Sequence, residues 1–103
     1  MHKFMVLYPR PDDEAHFRRY YAEKHLPLAG TLPGLKRYEC VYPEAMGPHP
    51  SPHFCIFEGW FESERAMRDA LDSEVGRALA EDVPNYSPKG ALLLSAPVEP
   101  ASA

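Results

Sequence analysis

His53-Phe54-Cys55-Ile56-Phe57-Glu58-Gly59-Trp60-Phe61 is the stretch that decides the fold. Bulky strand-forming residues alternate along it, Pro52 precedes it, and Ser63, a helix-capping type, follows it. Alternation sends Phe54, Ile56 and Trp60 to one face and Cys55, Phe57 and Phe61 to the other. Both faces are apolar, so this strand belongs inside a sheet that is covered on both sides.

Working outward from it, Ser63 is expected to cap a helix with Ala66, Met67, Ala70 and Leu71 as its buried stripe. A second helical piece starts near Ser73, carries Val75, Ala78 and Leu79, and stops at Pro84. Ala91 to Leu94 reads as a final apolar strand. Towards the N-terminus, Phe4 to Tyr8 is a short strand buried on both faces, ended by Pro9-Arg10-Pro11. Asp12 or Asp13 caps the next helix, which carries Phe17, Tyr20, Tyr21 and His25 inward. Leu26 precedes Pro27, so that helix is expected to stop at or near His25. Leu35 to Tyr42 alternates as a strand whose Lys36, Arg37 and Glu39 mark an edge. Pro43 to Pro52 holds four prolines and a glycine in ten residues and can be neither helix nor strand.

The order strand, helix, strand, strand, helix, strand predicts an α+β fold, a ferredoxin-like βαββαβ sandwich with a four-stranded antiparallel sheet. Right-handed crossovers put the first and third strands at the centre. One domain spans 1–95, and 96–103 is expected to be a flexible tail rich in Pro, Ala and Ser. Two helices cover one face of such a sheet, and leaving the other wet would expose an apolar patch of several hundred Å², on the order that monomers rarely tolerate. A second copy packed face to face, giving a dimeric α/β barrel, is therefore expected. Pairing Tyr42 with His53 would set Cys40 opposite Cys55, Tyr38 opposite Phe57 and Arg37 opposite Glu58. It would also group Leu35, Arg37, Glu39 and Val41 with Phe54, Ile56, Glu58 and Trp60 on one face; a slip of two residues would change the partners and keep the faces.

The net charge of −4 is mild and interspersed, without the basic stripe that nucleic acid requires. No apolar run approaches the roughly 18–20 residues of a membrane span, and no signal peptide is apparent. A soluble, cytoplasmic homodimer with a small-molecule ligand is expected, with neither nucleic acid nor membrane as partner. Cys40 and Cys55 lack zinc-ribbon or CxxC spacing and are most simply small buried hydrophobes.

His25-Leu26-Pro27-Leu28, Leu32-Pro33-Gly34-Leu35, Arg37-Tyr38-Glu39, Glu58-Gly59-Trp60-Phe61 and the Ser63 helix together resemble an EthD-type protein of the dimeric α/β-barrel superfamily. The resemblance runs from about residue 3 to residue 94 and implies fold and pocket more firmly than reaction. It is similar in the same segments to a methylmuconolactone methylisomerase of that superfamily. That likeness implies that His25 and Tyr38 sit at its acid–base and substrate-orienting positions. Gly59 stands where that enzyme has a cysteine, which argues against its particular reaction and leaves space in the pocket wall.

The candidate catalytic residues are thus His25, as general acid/base, and Tyr38, as a hydrogen-bond donor to a carbonyl oxygen. Candidate substrate-binding residues are Tyr8, Phe17, Tyr21, Cys40, His53, Cys55, Phe57 and Gly59. Each also has an ordinary structural reading, His25 as a helix-end residue bonding a nearby carbonyl and the aromatics as core. His53, Cys40 and Cys55 could approach zinc chemistry only if His25 came close, and no metal is expected. The expected function is a cofactor-free, His-mediated proton transfer of isomerase or lyase type on a small apolar carbonyl or lactone compound. The alternatives are a non-catalytic protein holding a hydrophobic metabolite for a partner oxygenase and, on fold analogy alone, haem ligation by His25.

Overall fold

Buried and half-buried residues alternate strictly along two segments, His2–Tyr8 (β1) and Cys55–Phe61 (β3), which pair antiparallel at the centre of a four-stranded sheet. The computed structural model describes residues 1–100. Arg37–Val41 (β2) lies on the outer side of β3 and Leu92–Pro97 (β4) on the outer side of β1, giving the order β2-β3-β1-β4. All pairs are antiparallel. The expected α+β, ferredoxin-like arrangement is present, with the charged β2 as an edge.

Three helix starts fall where the caps predicted them. Asp13, Ser63 and Ser73 each accept a backbone N–H three residues on, at the heads of α1 (Glu14–Tyr20), α3 (Glu64–Leu71) and α4 (Glu74–Asp82). A single 3-10 turn, Val83–Asn85, ends α4 at Pro84. The helices lie on the face of β1 that carries Phe4, Val6 and Tyr8, and there the core sits.

The structure corrects several expectations. The first helix does not stop at His25: a π-helical turn, Tyr21–His25, passes into a further turn, α2 (Leu26–Ala29). Leu26 keeps helical angles and its N–H reaches back five residues to Tyr21. Widening the turn moves the carbonyl that would strike the Pro27 ring, so the proline is accommodated. The β2–β3 register is two residues from the one expected, with Arg37 opposite Trp60, Tyr38 opposite Gly59 and Cys40 opposite Phe57. Phe54 precedes β3, so strand alternation does not bind it; its ring is buried on the helix side, edge-on to Phe17 at 5.1 Å. Leu35 likewise precedes β2 and packs against the core. Ala78, expected inside, is exposed on α4, where Gly76 and Leu79 are the buried positions. β4 continues past Leu94 so that Ala96 and Pro97 pair with Lys3 and His2, and residues 101–103 of the expected tail lie outside the described residues.

The turn into β2 shows why glycine is needed. Leu35 N–H bonds the Leu32 carbonyl, with Pro33 second and Gly34 third at φ +78°, the arrangement of a type II turn. The face of the sheet opposite the helices carries Met5, Leu7, Ile56 and Trp60 half-buried, and Val41, Leu92 and Leu94 exposed by 46, 51 and 45%. Lys3 pairs with Glu58 there, and the Arg37 guanidinium sits 4.1 Å over the Trp60 ring.

Candidate functional site

Tyr21 stacks on Phe17 at 5.4 Å and His25 stacks on Tyr21 at 5.3 Å, so the four-residue spacing read in the sequence does place the imidazole inward. His25 is 5% exposed. Both of its nitrogens are engaged. Nδ1 lies 2.9 Å from Oδ2 of Asp82, at the end of α4, and Nε2 lies 3.0 Å from the hydroxyl of Tyr86. Tyr86 in turn lies 2.8 Å from the hydroxyl of Tyr8, on β1. Tyr20 and Asn85 donate to the other oxygen of Asp82.

The partners fix the protons. Asp82 is acceptor-only when ionised, so Nδ1 carries a hydrogen and donates to it. Nε2 then accepts from Tyr86, and Tyr86 accepts from Tyr8. Burial pushes the imidazole pKa down and outweighs the upward pull of Asp82, so the ring is held below its ordinary value of 6.5 and is neutral at pH 7. Burial also works to raise the Asp82 carboxyl, but hydrogen bonds from Tyr20, Asn85 and His25 prevail and hold it below its usual range. Burial pushes Tyr8 up to about 12 and Tyr86 higher still. The result is a neutral base backed by a carboxylate and coupled to two buried phenols.

Beside this chain lies a cavity of about 250 Å³ between sheet and helices. That exceeds the ~150 Å³ known to admit a benzene ring. Its wall includes Tyr8, Tyr21, His25 and Phe57, with Phe4, Val6, Leu32, Leu79 and Val83 supplying apolar surface. The exposed Ala80 and Leu93 form its lip, between α4 and the β4 edge. The Tyr21 side chain is 1% exposed, yet its hydroxyl has no hydrogen-bond partner. An orphaned buried hydroxyl costs about 1–3 kcal/mol, and this one lies against Tyr8 and Cys40.

The other residues singled out in the sequence fall elsewhere. Tyr38 is 42% exposed, its ring stacks on Phe57, and its hydroxyl covers Gly30; it is not part of the cavity wall. Phe17 is wholly buried behind Tyr8 and Tyr21. Gly59 lies outside the wall, and the space beside it is bounded by Leu35 and Phe57. His53 lines a separate shallow hollow with Leu7, Pro52 and Leu92. Cys40 and Cys55 lie with their sulfurs 3.5 Å apart. Among the described residues no His, Cys, Asp and Glu cluster is arranged to hold a metal, and axial ligation by His25 would cost one of its two hydrogen bonds. Nor, among them, is any helix long and apolar enough to cross a membrane.

Asp82 and Tyr86 escaped the sequence reading. Asp82 did leave a signal: an acid in the last turn of a helix opposes the helix dipole, so it needs another reason to be there. Tyr86 lies in Pro84-Asn85-Tyr86-Ser87-Pro88 without periodicity to announce it.

Comparison with known proteins finds a family match. The EthD domain matches residues 10–89. An uncharacterized 11.0 kDa protein in the thcB-thcC intergenic region of Rhodococcus erythropolis is 29% identical over 94 residues, which cover 91% of each chain. The crystal structure of an EthD family protein from Bacillus halodurans superposes with a TM-score of 0.89 at 22% identity, over 96% of this chain and 99% of that one. A dimeric ferredoxin-like protein of unknown function from Thermobifida fusca gives 0.69 at 13% identity, over 94% of this chain and 90% of that one.

Proposed function

The chain belongs to the EthD family, and from that footing we propose that it catalyses proton transfer, without a cofactor, on a small apolar carbonyl or lactone compound. The observation that carries this reading is the imidazole between Asp82 and Tyr86, neutral and buried, at the wall of an apolar cavity. A substrate C–H proton passes to the Tyr8 oxygen as the Tyr8 proton moves to Tyr86 and the Tyr86 proton to Nε2. The imidazolium that results is stabilised by the Asp82 carboxylate. Reversal of the chain returns the proton to another substrate atom, which gives isomerisation, or to a leaving group, which gives a lyase step. General acid–base assistance of this type supplies about 10²–10⁴ in rate.

The working form in this reading is a homodimer joined through the open faces of the two sheets. The exposed Val41, Leu92 and Leu94 support it, as does the Thermobifida protein's description as dimeric.

The test is hydrogen exchange at carbon. Small cyclic ketones, enones and lactones are incubated with the protein in D₂O and followed by ¹H NMR. At least one should exchange, and His25→Gln should slow that exchange by about 10² while leaving ligand affinity within a few-fold. Exchange unaffected by H25Q refutes the assignment; tight binding with no exchange at all favours the role of holding a metabolite for a partner.

A further inference from the structure

Cys40 and Cys55 lie outside the cavity wall, with Cys40 beside the Tyr21 hydroxyl, and their geometry is that of a reactive pair. Cys40 faces Phe57 across the β2–β3 ladder, so it sits diagonally from Cys55, two residues out of register. The sulfurs nevertheless approach to 3.5 Å, and both thiols are free. The edge position of β2 leaves Cys40 part-exposed, whereas Cys55 is wholly buried on the inner strand. A pair kept only as apolar filling would not need one member within reach of solvent.

The electrostatics are equally lopsided. A hydrogen bond from the Cys55 thiol draws the Cys40 thiol below its ordinary value, and the same bond, with burial, pushes Cys55 up. The Arg18 guanidinium, 3.9 Å over the neighbouring Tyr42 ring, pulls the Cys55 thiol down without offsetting that rise. The residue nearer solvent therefore carries the more readily ionised thiol of the two.

We infer that Cys40 and Cys55 form a hydroperoxide-reactive dithiol, with Cys40 the attacking sulfur and Cys55 the resolving one. The Cys40 thiolate attacks the distal oxygen of a hydroperoxide; the O–O bond breaks, Cys40 becomes a sulfenic acid, and the alkoxide or hydroxide takes up a proton. The Cys55 sulfur then attacks the Cys40 sulfur, the S–O bond breaks, and the hydroxide leaves as water with the Cys55 proton. Two thiols lose two electrons, the peroxide gains them, and an intrachain disulfide closes.

Reduced protein treated with one equivalent of hydrogen peroxide should lose about 2 Da by intact mass and both titratable thiols, and a non-reducing peptide map should join Cys40 to Cys55. Cys55→Ser should stall with about 16 Da added at Cys40, trapped by dimedone, and Cys40→Ser should leave the buried Cys55 unmodified. Two intact thiols in the folded wild type after treatment would overturn the inference, because no variant need fold for that result. So would cross-linking between chains, or dimedone labelling at Cys55 in place of Cys40.

Discussion

Tyr86→Phe is the most informative single change, because one hydroxyl satisfies two buried partners. In the wild type Tyr86 donates to Nε2 of His25 at 3.0 Å and accepts from Tyr8 at 2.8 Å. Removing it leaves an imidazole nitrogen and a phenol without partners in residues that are 5% and 2% exposed. At about 1–2 kcal/mol for each orphan, the cost is about 2–4 kcal/mol. Tyr8→Phe removes the same Tyr8–Tyr86 bond but strands only one lone pair on Tyr86, which still donates to His25, so about 1 kcal/mol is expected. In the double variant the stranded Tyr8 hydroxyl is gone as well. The two changes should therefore fall short of additivity by about 2–3 kcal/mol. Urea unfolding of the four proteins at pH 7, with m-values checked for constancy, measures the cycle; Tyr86→Phe should also melt about 10–20 °C lower. Equal costs for the two single variants, or strict additivity, would refute the chain of donors and with it the proton path.

Because His25 has a folded pKa below 6.5, the unfolded chain takes up that proton first as pH falls. Its contribution to stability is full above about 6.5, declines below it by at most ~1.4 kcal/mol per pH unit, and levels off once the folded ring titrates. The difference in unfolding free energy between wild type and His25→Gln should show that decline, and a flat difference between about pH 8 and pH 5 would contradict it. Gly76→Ala should destabilise in spite of alanine's advantage of about 1 kcal/mol in helices. A Cβ there would come within 2.3 Å of the Leu71 carbonyl oxygen, at a cost of about 1–3 kcal/mol or more, read as a lower urea midpoint. Leu92→Lys with Leu94→Lys should turn a protein eluting at twice the monomer mass in gel filtration into one eluting at the monomer mass. Elution of the wild type as a monomer would contradict the face-to-face dimer.

What the sequence disclosed was whatever local physics governs. Ser63 and Ser73 announce their helices because a hydroxyl at that position completes a backbone bond. The charges of β2 announce an edge because they crowd one short strand, where the inner strands carry only the paired Lys3 and Glu58. Alternation was weaker evidence than it looked: it fixes which face a residue takes and says nothing of displacement by two along the ladder, the error made between β2 and β3. It also lapses where the strand does, as Phe54 and Leu35 illustrate. At the site, His25 was legible from its spacing to Phe17 and Tyr21, but its partners lie 57 and 61 residues away. Tyr38 was set opposite Phe57, and it does stack on that ring although its partner in the ladder is Gly59. The cavity nevertheless extends toward β4, where Ala91 and Leu93 line it, and a face assignment does not choose between the two edges of a sheet.

The π-helical turn explains how four residues so spaced can all be buried. In an α-helix each step of four residues overshoots a full revolution by about 40°, so after three steps a stripe has rotated about 120° and left its face. Phe17, Tyr21, His25 and Ala29 span three such steps, yet they are 0, 1, 5 and 4% exposed. A turn closed by a bond to the fifth residue holds more residues per revolution, so the Tyr21–His25 segment takes back part of that rotation. It does so just before Pro27, whose ring favours the widened geometry for its own steric reason. One proline thus keeps the helix on its buried course and holds the imidazole over the cavity. A regular helix over the same residues would carry His25 and Ala29 progressively around toward solvent, away from Asp82 and Tyr86.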